Sequence, residues 1–215
     1  MTGGQAKTGV SALGGIVPVS RETAQRLESF VALLRKWQPA ENLISPKTVS
    51  DVWRRHVADS VDLVRLFPGP RRWLDIGTGA GFPGLVVAIV GAPGTHVDLV
   101  ESNARKCAFL RAAIRETGSP ARVHEGRAED LLGSWVEPVD RLVARAVAPL
   151  RRLLALCEPL MEKGVPAAFH KGQDFRAEIA EASQSYDFDL LEHPSRVGEG
   201  VILEIANLRR KPRQV

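Results

Sequence analysis

The chain is poor in cysteine: its 215 residues include two, Cys107 and Cys157. They are far apart and form no CxxC pair, so neither a disulfide framework nor a zinc site is readable. Both lie in apolar, helix-like surroundings, where buried inert thiols are expected, and a reducing cytoplasm fits them. No metal is expected. Long hydrophobic runs are missing as well. The longest, "LVVAIVGA" from Leu85, is too short to span a bilayer, and no secretory signal is visible, so no membrane partner is expected. Nor does one sign of charge dominate: 29 basic against 25 acidic residues leave a net +4. That balance permits a polyanionic partner without demanding one. There is no internal repeat. What remains, 44% hydrophobic and 25% charged, is the composition of an ordinary globular chain, long enough to bury a full core without staples.

The pattern of the chain changes near residue 71. Residues 1–18, beginning "MTGGQAKTGVSALGG", read as a disordered leader. Residues 19–70 read as an N-terminal helical cap. In "SRETAQRLESFVALLRKW" the apolar positions Leu27, Phe30, Val31, Leu34 and Trp37 have helical spacing, and Ser20 is placed to cap the helix. "ENLISPK" breaks it. "SDVWRRHVADSVDLVRLF" resumes with Trp53, Val57, Ser60, Val61 and Val64 on one side, until "PGPRR" punctuates the chain. From residue 71 to 208 short apolar strands alternate with helices: "RWLDIG", "HVDLVES", "ARVHEGR", "DRLVARA" and "VPAAFHKG" each lead into a helical stretch. This alternation predicts an α/β fold, a mostly parallel sheet with helices on both faces. The end differs. "FDLLEHPS" and "GVILEIANL" read as an antiparallel C-terminal hairpin turning around Gly198 and Gly200. Residues 209–215 read as a basic tail.

One stretch concentrates the chemistry. In "RWLDIGTGAGFPGLVVAIV" the glycines Gly77, Gly79 and Gly81 alternate, Gly84 follows, and Asp75 sits two places before the first. Glycines this dense are costly in chain entropy and need a reason. Gly79, Gly81 and Gly84 match G-x-G-x-x-G, which alone is weak. A preceding strand, a following helix and an acid, Glu101, ending the next strand make it a nucleotide-type fingerprint, with Glu101 placed for ribose hydroxyls. A dinucleotide and S-adenosylmethionine both carry such a ribose. Asp75 would repel a pyrophosphate but favour the cationic end of S-adenosylmethionine, which carries no phosphate.

The register D-x-G-x-G-x-G from Asp75 to Gly81 resembles motif I of the Rossmann-like class I S-adenosylmethionine-dependent methyltransferases. "ENLIS…RRHVADS", "LDIGTGAGFPG", "ESNARKCAFL", "GRAEDL", "ARAVAPL" and "HKGQ", in this order and spacing, closely resemble the RsmG family, also called glucose-inhibited division protein B. The resemblance runs from about Phe30 to Leu208. It implies transfer of a methyl from S-adenosylmethionine to N7 of a guanine in the decoding-site loop of 16S rRNA, with the small ribosomal subunit as partner, and a monomer is expected. It also implies site residues. Gly77 and Phe82 would lie against the cofactor, with Gly79, Gly81 and Asp75 beside them and Glu101 on the ribose. Ala128 and Glu129 would frame the adenine. Arg145 would face cofactor or RNA, and Lys171 would meet RNA near the entrance. No residue stands in a motif that demands a general base.

Plainer roles stay open for several of these. Phe82 fits helix–sheet packing, and Glu129 the first turn of a helix, which the macrodipole favours. His56 and Asp59, three apart, could face each other on a helix, as a structural hydrogen bond more readily than as an acid–base pair. Two other functions also stay open: a nicotinamide-dependent reductase, and a non-catalytic ribosome-assembly factor that keeps the fold.

Overall fold

A computed structural model describes residues 9–13, 15–197 and 200–212. Helix α1 (Arg21–Glu41) begins where Ser20 Oγ accepts the Thr23 amide at 3.1 Å and ends at Asn42 in a left-handed conformation. Its stripe of Leu27, Phe30, Val31 and Leu34 is buried. After a break, a π-helical turn, Trp53–Ala58, runs directly into α2 (Asp59–Leu66). Then come β1 (Arg72–Ile76), α3 (Gly84–Val90), β2 (His96–Glu101), α4 (Ala104–Thr117), β3 (Ala121–Glu125), α5 (Ala128–Leu132), β4 (Arg141–Arg145), α6 (Leu150–Met161), β5 (Ala167–Lys171), α7 (Phe175–Ala182), β6 (Tyr186–Pro194) and β7 (Val201–Arg210).

The strands form one seven-stranded sheet in the order β3-β2-β1-β4-β5-β7-β6. β3, β2, β1, β4 and β5 are mutually parallel, and β7 runs antiparallel between β5 and β6. Helical crossovers make the parallel pairs possible and cover both faces of the sheet. β1 is therefore buried without a break from Trp73 to Ile76, with Trp73 facing one core and Leu74 the other. The hairpin expected at the C-terminus is present as β6 and β7. Gly198, expected in its turn, lies outside the described residues.

The first face is covered by α1, the π-turn, α2, α3 and α4. Leu27, Phe30 and Leu34 of α1 share a single apolar cluster with Leu85, Phe109 and Val143. The helical region is thus continuous with the core of the sheet domain. The expectation of a disordered leader is corrected in part. Gly9–Leu13 forms a 3₁₀ turn, Leu13 is buried, and Val10, Ile16 and Val17 pack against the same cluster. Apolar side chains scattered through that Gly-rich stretch supply the area that anchors it. Residues 1–8 and 14 lie outside the described residues. The basic tail also begins later than expected. Arg209 and Arg210 belong to β7, and Arg210 is held by Glu158, its Nε at 2.6 Å from Oε1.

One glycine of the fingerprint is explained by packing alone. The Asp75 carboxylate accepts the Gly84 amide at 2.8 Å. A Cβ on Gly84 would stand 2.5 Å from Leu99 Cδ2 and 2.6 Å from Asp75 Oδ2. Gly84→Ala is therefore expected to destabilise the fold by about 1–3 kcal/mol through overpacking. Urea unfolding checks this: the midpoint should fall with an unchanged m-value, and an unchanged midpoint would refute it.

Candidate active site

β1 ends beneath the glycine turn, at the carboxyl ends of the strands, where open α/β sheets bind ligands. Gly77, Gly79 and Gly81 all have positive φ, at 67°, 59° and 89°. At Gly79 an added Cβ would meet only the oxygen of Gly77, at 4.0 Å. The backbone there faces open space, and only glycine holds this conformation without strain. Glu101 braces the turn from β2. Its Oε2 accepts the Gly79 amide at 2.9 Å and its Oε1 the Asn103 amide at 2.8 Å. Each oxygen keeps a second lone pair, so the carboxylate can accept two hydroxyls while still holding the loop. Gly126 donates to the Glu101 carbonyl at 3.0 Å, which brings the start of α5 beside the same strand end. Ala128 is half-buried there. Glu129 is exposed and reaches Arg152 at 3.4 Å. An open glycine turn, a braced carboxylate with lone pairs to spare and the head of α5 fit a nucleoside ligand.

Two expected cofactor contacts are corrected. Asp75 is fully buried, and its Oδ2 is spent on Gly84. Burial pushes its carboxyl up to about 6, while the Thr78 hydroxyl, the Gly84 amide and Arg145 pull it down. It secures the entry to α3 from inside and does not reach the cleft. Phe82 is 3% exposed, with its ring 5.3 Å from Phe30 and 5.0 Å from His56. That ring is core, which leaves it almost no surface to offer a ligand.

Arg145 lines the cleft, as expected of a site residue, but it is not a free cation. At the end of β4 its side chain turns inward toward the π-turn. Nη1 donates to the Arg55 carbonyl at 2.9 Å and lies 3.4 Å from Asp59 Oδ2, while Nη2 lies 2.6 Å from His56 Nδ1. His56 Nε2 lies 2.9 Å from Thr48 Oγ1. An arginine is always a donor, so Nδ1 accepts and Nε2 carries the proton. Burial first, then Arg145 and Arg55, push the His56 pKa down to about 3. The expected pairing of His56 with Asp59 is not made. The segment winds as a π-turn, and both side chains converge on Arg145 instead. Asp59 meets His170 as well. Its carbonyl lies 3.0 Å from His170 Nε2. His170 was not distinguished from its neighbours by the sequence, because only its position beside Arg145 on the adjacent strand gives it a role.

Lys171 points to the opposite face of β5 and is nearly buried. Its Nζ holds the Ala148 carbonyl at 2.7 Å and Glu178 at 2.7 Å. Glu178 also accepts the Leu150 amide at 2.6 Å. Lys171 therefore pins the loop between β4 and α6 and is not free to meet RNA as expected. Ala146 in that loop has φ 55°. Val147 presses on the glycine turn, with Cγ2 2.9 Å from the place of a Gly77 Cβ. The same valine lines a cavity of about 890 Å³ that extends over Arg55, His56, Asp59, His170 and Gly172. The glycine turn and the cavity thus meet at Val147. Among the described residues no group of three or more His, Cys, Asp or Glu could hold a metal ion, and no helix is long and apolar enough to cross a membrane.

The buried histidine gives a pH signature. Its folded pKa lies below the ordinary histidine value of 6.5, so the unfolded state binds more protons between about 6.5 and 3. Stability present above 6.5 is lost as the pH falls through that window. His170, lowered mainly by burial, acts in the same direction, and Asp75, raised, acts in the opposite one. Asn at position 56 can still accept from Arg145. His56→Asn should therefore shrink the drop in thermal midpoint between pH 7 and pH 5, and Asp75→Asn should enlarge it. An identical drop in all three proteins would refute the assignment.

Residues 23–199 match the family described as rRNA small subunit methyltransferase G. The ribosomal RNA small subunit methyltransferase G of Bradyrhizobium diazoefficiens is 48% identical over 198 residues, covering 91% of this chain and 76% of that protein. The protein of the same name from Methylorubrum populi is 49% identical over 195 residues, covering 89% and 92%. Among solved structures, an O-methyltransferase from Bacillus cereus in complex with SAH superposes with a TM-score of 0.54 at 17% identity, over 90% of this chain and 94% of that one. That likeness shows the fold, the class I methyltransferase architecture. Matched by profile over most of its length and nearly half identical to these relatives, the chain belongs to the rRNA small subunit methyltransferase G family.

Proposed function

We propose that the protein transfers a methyl group from S-adenosylmethionine to N7 of a guanine in the decoding-site loop of 16S rRNA, with the small ribosomal subunit as the assembly it acts on. The observation that carries this reading is the contact at Val147. One valine touches the glycine turn on one side and lines the 890 Å³ cavity on the other. That suits two ligands that must meet end to end. Family membership favours this over a nicotinamide-dependent reductase, and the intact glycine turn with its braced Glu101 favours it over a non-catalytic assembly factor.

Gly79 and Glu101 would hold the cofactor, with Ala128 and Glu129 toward its adenine. Bound S-adenosylmethionine supplies an electrophilic methyl on a sulfonium. Guanine N7 has a free lone pair and no proton at neutral pH, so no residue has to remove one. The protein's part is orientation, which alone can lower a barrier by roughly 7–11 kcal/mol. Arg145 and Lys171 contribute by fixing the walls between which the acceptor sits. His56, neutral and bonded through both ring nitrogens, has no site left from which to act as a base.

The test is transfer of label from S-adenosylmethionine to small subunits that lack the modification, followed by mapping of N7-methylguanine. Label at one guanine N7 is expected, and label absent or on another atom would overturn the reading. Single-turnover rates should show no unit-slope acid limb between pH 6 and 9. Such a limb, abolished by His56→Asn or Glu129→Gln, would establish a base. Charge-assisted hydrogen bonds are each worth roughly 1.5–3 kcal/mol. Glu101→Ala should therefore weaken S-adenosylhomocysteine binding about tenfold to a hundredfold in calorimetry, with the protein still folded. Unchanged affinity would remove Glu101 from the site.

A further inference from the structure

Arg145 and Lys171 line the cavity with their charges engaged by protein partners, which leaves open what this site offers to a polyanion. The π-turn supplies a candidate. It carries Arg54 and Arg55 side by side, both exposed and both lining the mouth of the 890 Å³ cavity. Arg54 donates one bond, from Nε to the Val197 carbonyl at 3.2 Å. Among the described residues neither arginine is within ion-pair distance of a carboxylate. Most other ion pairs near this end of the sheet are closed, as Arg151–Glu181 and Arg152–Glu129 illustrate. Asp59 and Glu178, the acids that line the cavity, are engaged by Arg145 and Lys171.

The placement of these arginines is built. A π-turn inserts an extra residue into a helix, and such turns concentrate at functional sites. Here the insertion lets Trp53 and Val57 stay buried and His56 reach Arg145, while two consecutive residues between them face out. The Arg55 carbonyl is clamped by Arg145 Nη1 at 2.9 Å, so the backbone that carries Arg55 is fixed to the end of β4. Arg55 also sits close enough to disfavour the charged forms of both His56 and Arg145. A cation held beside a second, half-buried cation is relieved by an anion. The cavity behind the pair is within the range that holds a small ligand such as one nucleotide.

We infer that the cavity receives the acceptor nucleotide, turned out of its RNA strand, and that Arg54 and Arg55 bind the phosphates flanking it. The inference rests on the rRNA methyltransferase reading and adds to it the residues that grip the substrate. Sequence-specific readers of RNA act mostly on unstacked, single-stranded nucleotides. Phosphate contacts of this kind set register and carry no base identity.

The experiment uses the full chain with unmodified small subunits and saturating S-adenosylhomocysteine, titrated with salt. Arg54→Gln and Arg55→Gln should each reduce the slope of log affinity against log salt by about 0.7–1 unit. The double variant should bind at least tenfold more weakly at low salt, and the double lysine variant should recover most of the wild-type slope. S-adenosylhomocysteine affinity should stay within twofold throughout, and Arg122→Gln, on β3, serves as the control for loss of an exposed charge elsewhere. A wild-type slope in the folded double glutamine variant would overturn the proposal. So would equal losses of RNA and S-adenosylhomocysteine affinity, because the arginines would then be acting through the fold. The cavity is tested separately. Gly172 lines it, and an added Cβ there would meet nothing within 4 Å. Gly172→Trp should lower kcat/KM for small subunits at least tenfold and spare S-adenosylhomocysteine binding. Wild-type efficiency would place the acceptor elsewhere. If the unaltered protein neither binds nor methylates small subunits, the rRNA reading itself fails. If it does both and the variants behave as wild type, only this inference fails.

Discussion

A half-buried guanidinium is the constraint on which the site depends. Arg145 cannot lose its charge and cannot remain inside without partners. Its neighbours are arranged accordingly: a backbone carbonyl, a neutral imidazole nitrogen and a carboxylate, each from the segment between residues 55 and 59. That requirement reaches in both directions. It holds His56 uncharged, and it ties a helix from the first quarter of the chain to the end of a central strand. It also explains the π-turn, whose shifted geometry brings three acceptors from so short a segment to one donor group.

A similar economy governs the acids. Glu101 and Asp75 sit at neighbouring strand ends, yet their surroundings set them apart. Asp75 is sealed beneath α3 with a raised pKa. Glu101 is braced by two amides at the edge of the open turn. The first carboxylate holds the turn to the core, and the second holds its shape against the cleft. Lys171 and Glu178 do the corresponding work on the far side, where their ion pair fixes the loop that carries Val147.

The alternation of strands and helices, the closing hairpin, the Ser20 cap and the α1 stripe were all legible, because each follows from local periodicity and from residues with fixed stereochemical uses. The place of Glu101 at the end of β2 was legible for the same reason. It stands at a set distance from the glycines. The failures share one cause. Whether Arg145 and Lys171 stand free at the cleft or are engaged there by the protein depends on which groups the fold brings opposite them, and residues 55, 59, 148 and 178 are remote or wound in a π-turn that a 3.6-residue period does not reveal. Phe82 lies next to the glycines in sequence, but its ring is claimed by Phe30 from α1. Nothing in the local sequence sets Arg54 and Arg55 apart from the other arginines; the cavity beside them does. Val10, Leu13, Ile16 and Val17 are spread among glycines and polar residues, so no local period marks them as part of the core.

The two rims of the sheet bear on how the protein behaves in a crowded solution. Among the described residues, β3 and β6 each leave one line of backbone donors and acceptors without a strand beside it. Such rims invite a foreign strand. β3 exposes Arg122 and Glu125, and β6 exposes Asp187, Asp189 and Glu192 before ending at Pro194. A stranger docking on either rim would have to bring its own chain alongside these charges and, on β6, lose a ladder bond at the proline. The outermost strands thus act as guards against fibrillar self-association, a duty unrelated to methyl transfer but one that any open-sheet protein must discharge to stay dispersed.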